Sequence, residues 1–210
     1  MLFNSLLNLS HMYKSKSRRK HFGIDMFPMF NLLLIVLAFL ILCGRPAIRC
    51  PIAINLPTGS YFNTADPDGY ATTILIGRNK LMLELDAADI RKATLKQIGA
   101  RHDTQFTQAE ESKFGETDVI GTPLATIKKY ISGYYNAADY YNQPGLTSDE
   151  LAEWIKISRK ATFEKYGRWS HIFIMADAET PYPEIKNIMA MLGQQKINKF
   201  SIIYSYIKQI

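Results

Sequence analysis

The sequence predicts a single N-terminal transmembrane helix followed by a small α+β domain. Three observations carry this. Met26–Cys43 is a long, uncharged and mostly apolar run in a chain of 210 residues with only 47% hydrophobic content, so one segment stands apart from an otherwise water-compatible sequence. A basic block, Lys14, Lys16, Arg18, Arg19 and Lys20, lies just before it, with no acid until Asp25. After it come short β-type runs alternating with helical patterns, the signature of a mixed α and β layer.

The elements follow in order. Residues 1–23 form a basic tail. It can be read as a nucleic-acid patch, but beside an apolar span it acts as the determinant that keeps the N-terminus cytoplasmic. The predicted anchor covers 24–43. Its 18-residue core makes a helix about 27 Å long at 1.5 Å per residue, enough to cross a hydrocarbon layer of about 30 Å. Pro28 falls near the helix start, where a missing N–H matters least. A cleaved signal or lipoprotein is the competing reading. The run ends Leu-Ile-Leu-Cys-Gly, however, without the small residues that a cleavage site needs. Asn31 is an amide inside the run, and such a residue faces protein or water rather than lipid.

Cys43 and Cys50 flank the outer edge. A Cys43–Cys50 bridge, a bridge between two copies and two free thiols all remain open, and no metal spacing is present. Residues 44–71 are rich in Pro, Gly, Asn, Asp and Thr and read as an extended linker with one apolar piece at Ile52–Leu56. The domain proper spans 72–210. Thr72–Gly77 and Leu81–Leu85 read as strands joined by a turn at Arg78-Asn79-Lys80. Asp89–Ile98 reads as a helix, and 99–120 as loop.

Thr122-Pro123 reads as a cap followed by a first-turn proline, with Leu124, Ile127 and Ile131 at helical spacing. A Tyr-rich loop (Tyr134, Tyr135, Tyr140, Tyr141) follows, read as a local mini-core or a contact surface. Thr147-Ser-Asp-Glu150 is a capping box opening a helix to about Phe163, with Leu151, Trp154, Ile155 and Ser158 on one face. The last third is a β-α-β unit. His171–Ala176 is a nearly continuous apolar strand. Pro181 and Pro183 open a helix burying Ile185, Ile188, Met189 and Leu192, and Phe200–Ile207 closes the fold as a strand.

Three short motifs, in order, resemble the ExbD/TolR family. The anchor begins Ile24-Asp25-Met-Phe-Pro28-Met-Phe-Asn31. The linker carries Asn55-Leu56-Pro57. The strand at 172–176 ends in Ala176-Asp177, then a turn, Tyr182 and a helix. The resemblance covers roughly 24–98 and 171–207, and 99–170 reads as an insertion. It implies an ExbD/TolR-like fold in the bacterial inner membrane, with a periplasmic domain. It also implies a non-enzymatic role in a proton-driven motor that energises TonB-dependent transport. The implied partners are an ExbB-like pentameric channel protein, a second ExbD-like subunit and a TonB-like protein. A TolR-like subunit would instead hold peptidoglycan. Asn55, Leu56 and Pro57 would dock a partner by strand addition, where the bland reading is a plain connection.

The chain departs from the family where the family keeps its proton-accepting acid, because that position is Asn31. An amide has no exchangeable proton at any accessible pH. Asp25, where the family has Asn, is either a relocated proton site or an interfacial helix cap, about 9 Å from Asn31 along the helix. The implied arrangement is a heterodimer in which the partner carries the acid. Outside the family, the alternative is a plain membrane-anchored binding domain. An enzyme is not expected. The four histidines are scattered, and no G-x-S-x-G, H-E-x-x-H or phosphate-loop pattern occurs. No cofactor, metal or nucleic acid is called for.

Overall fold

The computed structural model describes residues 26–43, 50–60, 70–133 and 140–206. The basic tail, Asp25, Tyr134, Tyr135 and part of the predicted linker lie outside the described residues. The chain divides into two compact units, Met1–Ile48 and Arg49–Ile210.

In the first unit the described element is α1, Met26–Cys43, an 18-residue helix with no buried residue. It is long and apolar enough to cross a membrane. It carries no charged side chain, since its residues run Met-Phe-Pro-Met-Phe-Asn and then aliphatic and Phe residues to Cys43.

The second unit is built on a five-stranded mixed sheet, flanked by a separate two-stranded ladder. Its first element is β1, Thr58–Gly59. Then come β2, Ala71–Gly77, and β3, Lys80–Leu85. These two pair antiparallel from Thr72↔Leu85 to Gly77↔Lys80. The turn is two residues rather than three. Arg78 and Asn79 both take left-handed backbone, with φ of 50° and 56°, the conformation that tight hairpins of right-twisted strands require.

α2, Ala88–Arg101, follows. The stretch from 99 to 120, expected as loop, instead finishes α2, forms α3, Gln108–Gly115, and ends in β4, Val119–Ile120. Thr107 caps α3 with a full capping box to Glu110, so the helix has a start signal in Thr-Gln-Ala-Glu.

A 3₁₀ turn, Leu124–Thr126, leads into α4, Ile127–Gly133. Thr122 does not cap it. The residue at the cap is Pro123, which makes no side-chain cap bond, and the buried Thr122 hydroxyl turns to Gln143 Oε1 at 3.3 Å. α5 is Ser148–Tyr166, with the predicted Thr147–Glu150 capping box present and Gly167 (φ 67°) ending it in left-handed backbone. β5, His171–Ala176, and α6, Tyr182–Gln194, come next. The closing strand is split: β6, Phe200–Ile203, stops at Tyr204, and β7, Ser205–Tyr206, pairs elsewhere.

The sheet order is β4-β3-β2-β5-β6. β5 runs parallel to β2 on one side and to β6 on the other, the second pairing made through a β-α-β crossover by α6. All seven residues of the central strand β2 are buried. One sheet face (Ile74, Ile76, Leu83, Leu85, Ile172, Ile174) joins the helices in the main core with Leu95, Phe114, Trp154 and Leu192. Segment 99–170 is integral to this core, since Phe114 of α3 packs on Trp154 of α5 at 5.9 Å. Leu75, Met82 and Val119 face the other way and are covered by Ile52.

Candidate functional site

Asn31 sits in the second turn of α1, exposed, in a helix otherwise free of amides and acids. Pro28 is the third helical residue, a position where its lacking N–H breaks no helix bond. The helix can therefore present one hydrogen-bonding amide to a partner but no group that takes up a proton.

The linker motif and the Ala-Asp motif, far apart in sequence, meet in the second unit. Ile52 is buried on the sheet's second face, and a Cβ at Gly77 would stand 3.1 Å from the Ile52 side chain and 3.5 Å from that of Ile54. The chain then crosses the turn after β5. The Ala178 amide donates to the Asn55 carbonyl at 2.8 Å. The turn is itself tied down: the Asp177 amide donates to Ile76 O at 2.9 Å, and Asp177 Oδ1 accepts from the Glu179 amide at 3.2 Å. Beyond Leu56, the Ser205 amide donates to the Pro57 carbonyl at 2.8 Å. β1 then pairs parallel with β7, Thr58↔Ser205 and Gly59↔Tyr206.

Residues 52–59 thus form a strap, held at Ile52, at the Asp177 turn and at β7. The expected extended connection is instead a docked element whose Asn55 and Pro57 carbonyls are taken by this chain's own amides. Asn55 remains exposed, and Leu56 and Pro57 are half-buried. Ala176 is buried beneath the turn, and Tyr182, at the start of α6, is 69% exposed.

Cys43 and Cys50 are both free thiols. Burial pushes the Cys50 thiol above its ordinary value, which lowers its reactivity. On the same sheet face, Glu84 of β3 stands opposite Thr73. Burial, and then the nearby Asp86 and Asp118 carboxylates, raise its pKa against the lowering effect of Arg91. Arg91 is the chief polar tie of the domain. It is buried, donates to the carbonyls of Leu85, Asp86 and Gly115, and pairs with Asp118 at 3.4 Å.

Among the described residues, no three His, Cys, Asp or Glu side chains gather to hold a metal ion. His171 bonds Ser201 Oγ at 2.9 Å and edges onto Phe173, a packing role. Two open clefts of about 350 and 380 Å³ flank Glu153, which holds Arg101 and His102 at 3.5 and 2.9 Å. The sequence signalled the strap only through its motif. Its intrachain partners, Ala178 and Ser205, carried no signal, because any residue can offer a backbone amide.

No curated protein and no solved structure matches the chain significantly. The family model "Biopolymer transport protein ExbD/TolR" matches residues 17–205, a span that runs from before α1 to β7. On that match, the chain belongs to the ExbD/TolR family of biopolymer transport proteins.

Proposed function

We propose that this chain is the acid-lacking member of an unequal pair of ExbD-like subunits within a proton-driven motor of the inner membrane. Its N-terminus is cytoplasmic and its second unit periplasmic. The observation that carries the reading is Asn31, the single amide of an uncharged span, at the position where the family keeps its proton-accepting acid. Proton transit through a dry channel needs a group whose charge can be removed by protonation. Asn31 supplies a hydrogen bond of about 1 kcal/mol to a neighbouring helix, and the acid comes from the partner. On this reading Asp25, which precedes α1 in the sequence, is an interfacial acid and not a substitute proton site.

In the periplasm, the strap presents Asn55, Leu56 and Pro57 for docking, and strand addition there requires its present β7 pairing to be exchanged. β6 is an edge strand with Ile202 45% exposed, and such an edge is a ready template for a second subunit. TonB-dependent transport is the process served. Affinity purification from native membranes tests membership: a polytopic, pentameric channel protein should co-purify. Recovery of this chain without one would favour a plain anchored binding domain. Retention on cell-wall sacculi would favour the TolR-like reading.

A further inference from the structure

The strap closes over a patch that contains an acid. Along β3, Leu81, Leu83 and Leu85 join the main core, while Met82 lies on the opposite face with Leu75, Val119 and Ile52. Side chains alternate along a strand, so Glu84 shares the face of Met82. It stands in register with Thr73 of β2 and with Val119 of β4. Glu84 therefore belongs to the patch that Ile52 covers, and it is half-buried there.

The titratable and charged groups around it come from each element packed on this patch. Asp86 follows it in the chain, Asp118 precedes β4, and Arg91 reaches over from α2. Cys50 at the start of the strap and Tyr140 are also close enough to feel its charge. Among the described residues, three carboxyls thus share one guanidinium. Arg91 is already engaged by Asp118 and by the carbonyls of Leu85, Asp86 and Gly115. The bland reading is an ordinary polar position on an alternating strand. Such a position faces water, whereas this one lies in a patch closed by an isoleucine that is 3% exposed. An ionised carboxylate there gives up hydration with like charges beside it. Lifting the Cys50–Ile54 end of the strap returns water to it.

We propose that Glu84 is a proton latch for this end of the strap: protonated, it leaves Ile52 seated on the sheet, and ionised, it favours the lifted strap. Burial, and then the Asp86 and Asp118 carboxylates, raise its pKa against the lowering effect of Arg91. The seated strap therefore holds the proton more tightly than the lifted one. That contribution to seating is full below the ordinary carboxyl range and is lost as pH rises through the raised value. The latch lies within the second unit and acts whichever partner the strap takes, so it stands apart from the motor reading.

Hydrogen exchange on the full chain in detergent, corrected at each pH for the intrinsic exchange rate, provides the test. The Ala178 amide, bonded to Asn55 O, reports the strap, and the Asp177 amide, bonded to Ile76 O, reports the sheet. From about pH 4.5 to about pH 7.5, Ala178 protection should fall about fivefold or more, while Asp177 protection changes by less than about twofold. Glu84→Gln should keep Ala178 protection at its acid value throughout. Asp118→Asn removes one of the carboxylates that raise Glu84, and it should move the fall to lower pH. Emission of the buried Trp154 checks that each variant is folded. If Glu84→Gln does not fold, Asp118→Asn decides, and an unmoved fall overturns the proposal. Ala178 protection that is constant with pH, or that falls equally in folded Glu84→Gln, also overturns it. So does an equal fall at Asp177, because the sheet then opens together with the strap.

Discussion

Substitution of Gly59 by Ala should open the strap at one end without unfolding the domain. A Cβ at Gly59 would run into the Tyr204 ring, and overpacking of this kind costs about 1–3 kcal/mol. The strap's own ties are of similar size. The Pro57 and Asn55 carbonyl bonds contribute about 1 kcal/mol each, and burial of Ile52 adds about 2 kcal/mol. The clash therefore exceeds what holds the β1–β7 end but not what holds the Ile52 end. Hydrogen exchange on the full chain in detergent reads this directly. With about 2 kcal/mol lost locally, the Ser205 amide should exchange roughly 30-fold faster. The Ala178 amide, held at Asn55, should change by less than about threefold. Unaltered Ser205 protection would mean that the pairing does not constrain the strap. A uniform increase across β2 and β5 would mean that strap and core open together. Either result refutes the division into a releasable end and a fixed end.

Arg91→Met should destabilise the domain by about 3 kcal/mol in urea titrations followed by Trp154 emission, because the buried Leu85 and Gly115 carbonyls lose their charged donor. Arg91→Lys should recover only part, since an ammonium cannot reproduce the fork to both. Asp118 is 63% exposed, so loss of its ion pair adds little. Glu84 gives a pH signature. Its folded-state pKa is raised, so the folded chain holds the proton more tightly than the unfolded chain does. That contribution is full below the ordinary carboxyl range and is lost as pH rises through the raised value. Glu84→Gln should therefore flatten the decline in melting temperature between acid and neutral pH. A decline of the same slope in the variant would exclude Glu84 as its source.

The parts legible in the sequence were those with strong local grammar. The Thr147–Glu150 box, the Arg78-Asn79 hairpin and the apolar run at 171–176 each specify their element without help from the rest of the chain. α3 has the same Thr-x-x-Glu start, but its eight residues bury only Phe114 and Gly115, too few to show a period. Thr122 failed as a cap for a non-local reason. The fully buried Gln143 accepts from the Gly121 amide at 2.6 Å and from Thr122, and donates to Tyr140 O at 3.2 Å. Nothing near 122 announces a glutamine twenty-one residues on. Phe200–Ile207 looked continuous because β propensity does not register a change of partner, and β7 leaves the sheet to pair with β1. For the strap, the motif was visible in residues 55–57, but its dockings to Ala178 and Ser205 use backbone amides.

A chain with Asn31 in place of the acid should work beside a subunit that has one. Native mass spectrometry of the complex, purified from its own membranes and active in proton conduction, tests it most directly. Two ExbD-like masses should appear, one of this 24.0 kDa chain and one of a different subunit bearing a membrane-embedded Asp or Glu, held by a single channel oligomer. A conducting complex containing the channel protein and two identical copies of this chain, with no second ExbD-like mass, would contradict it.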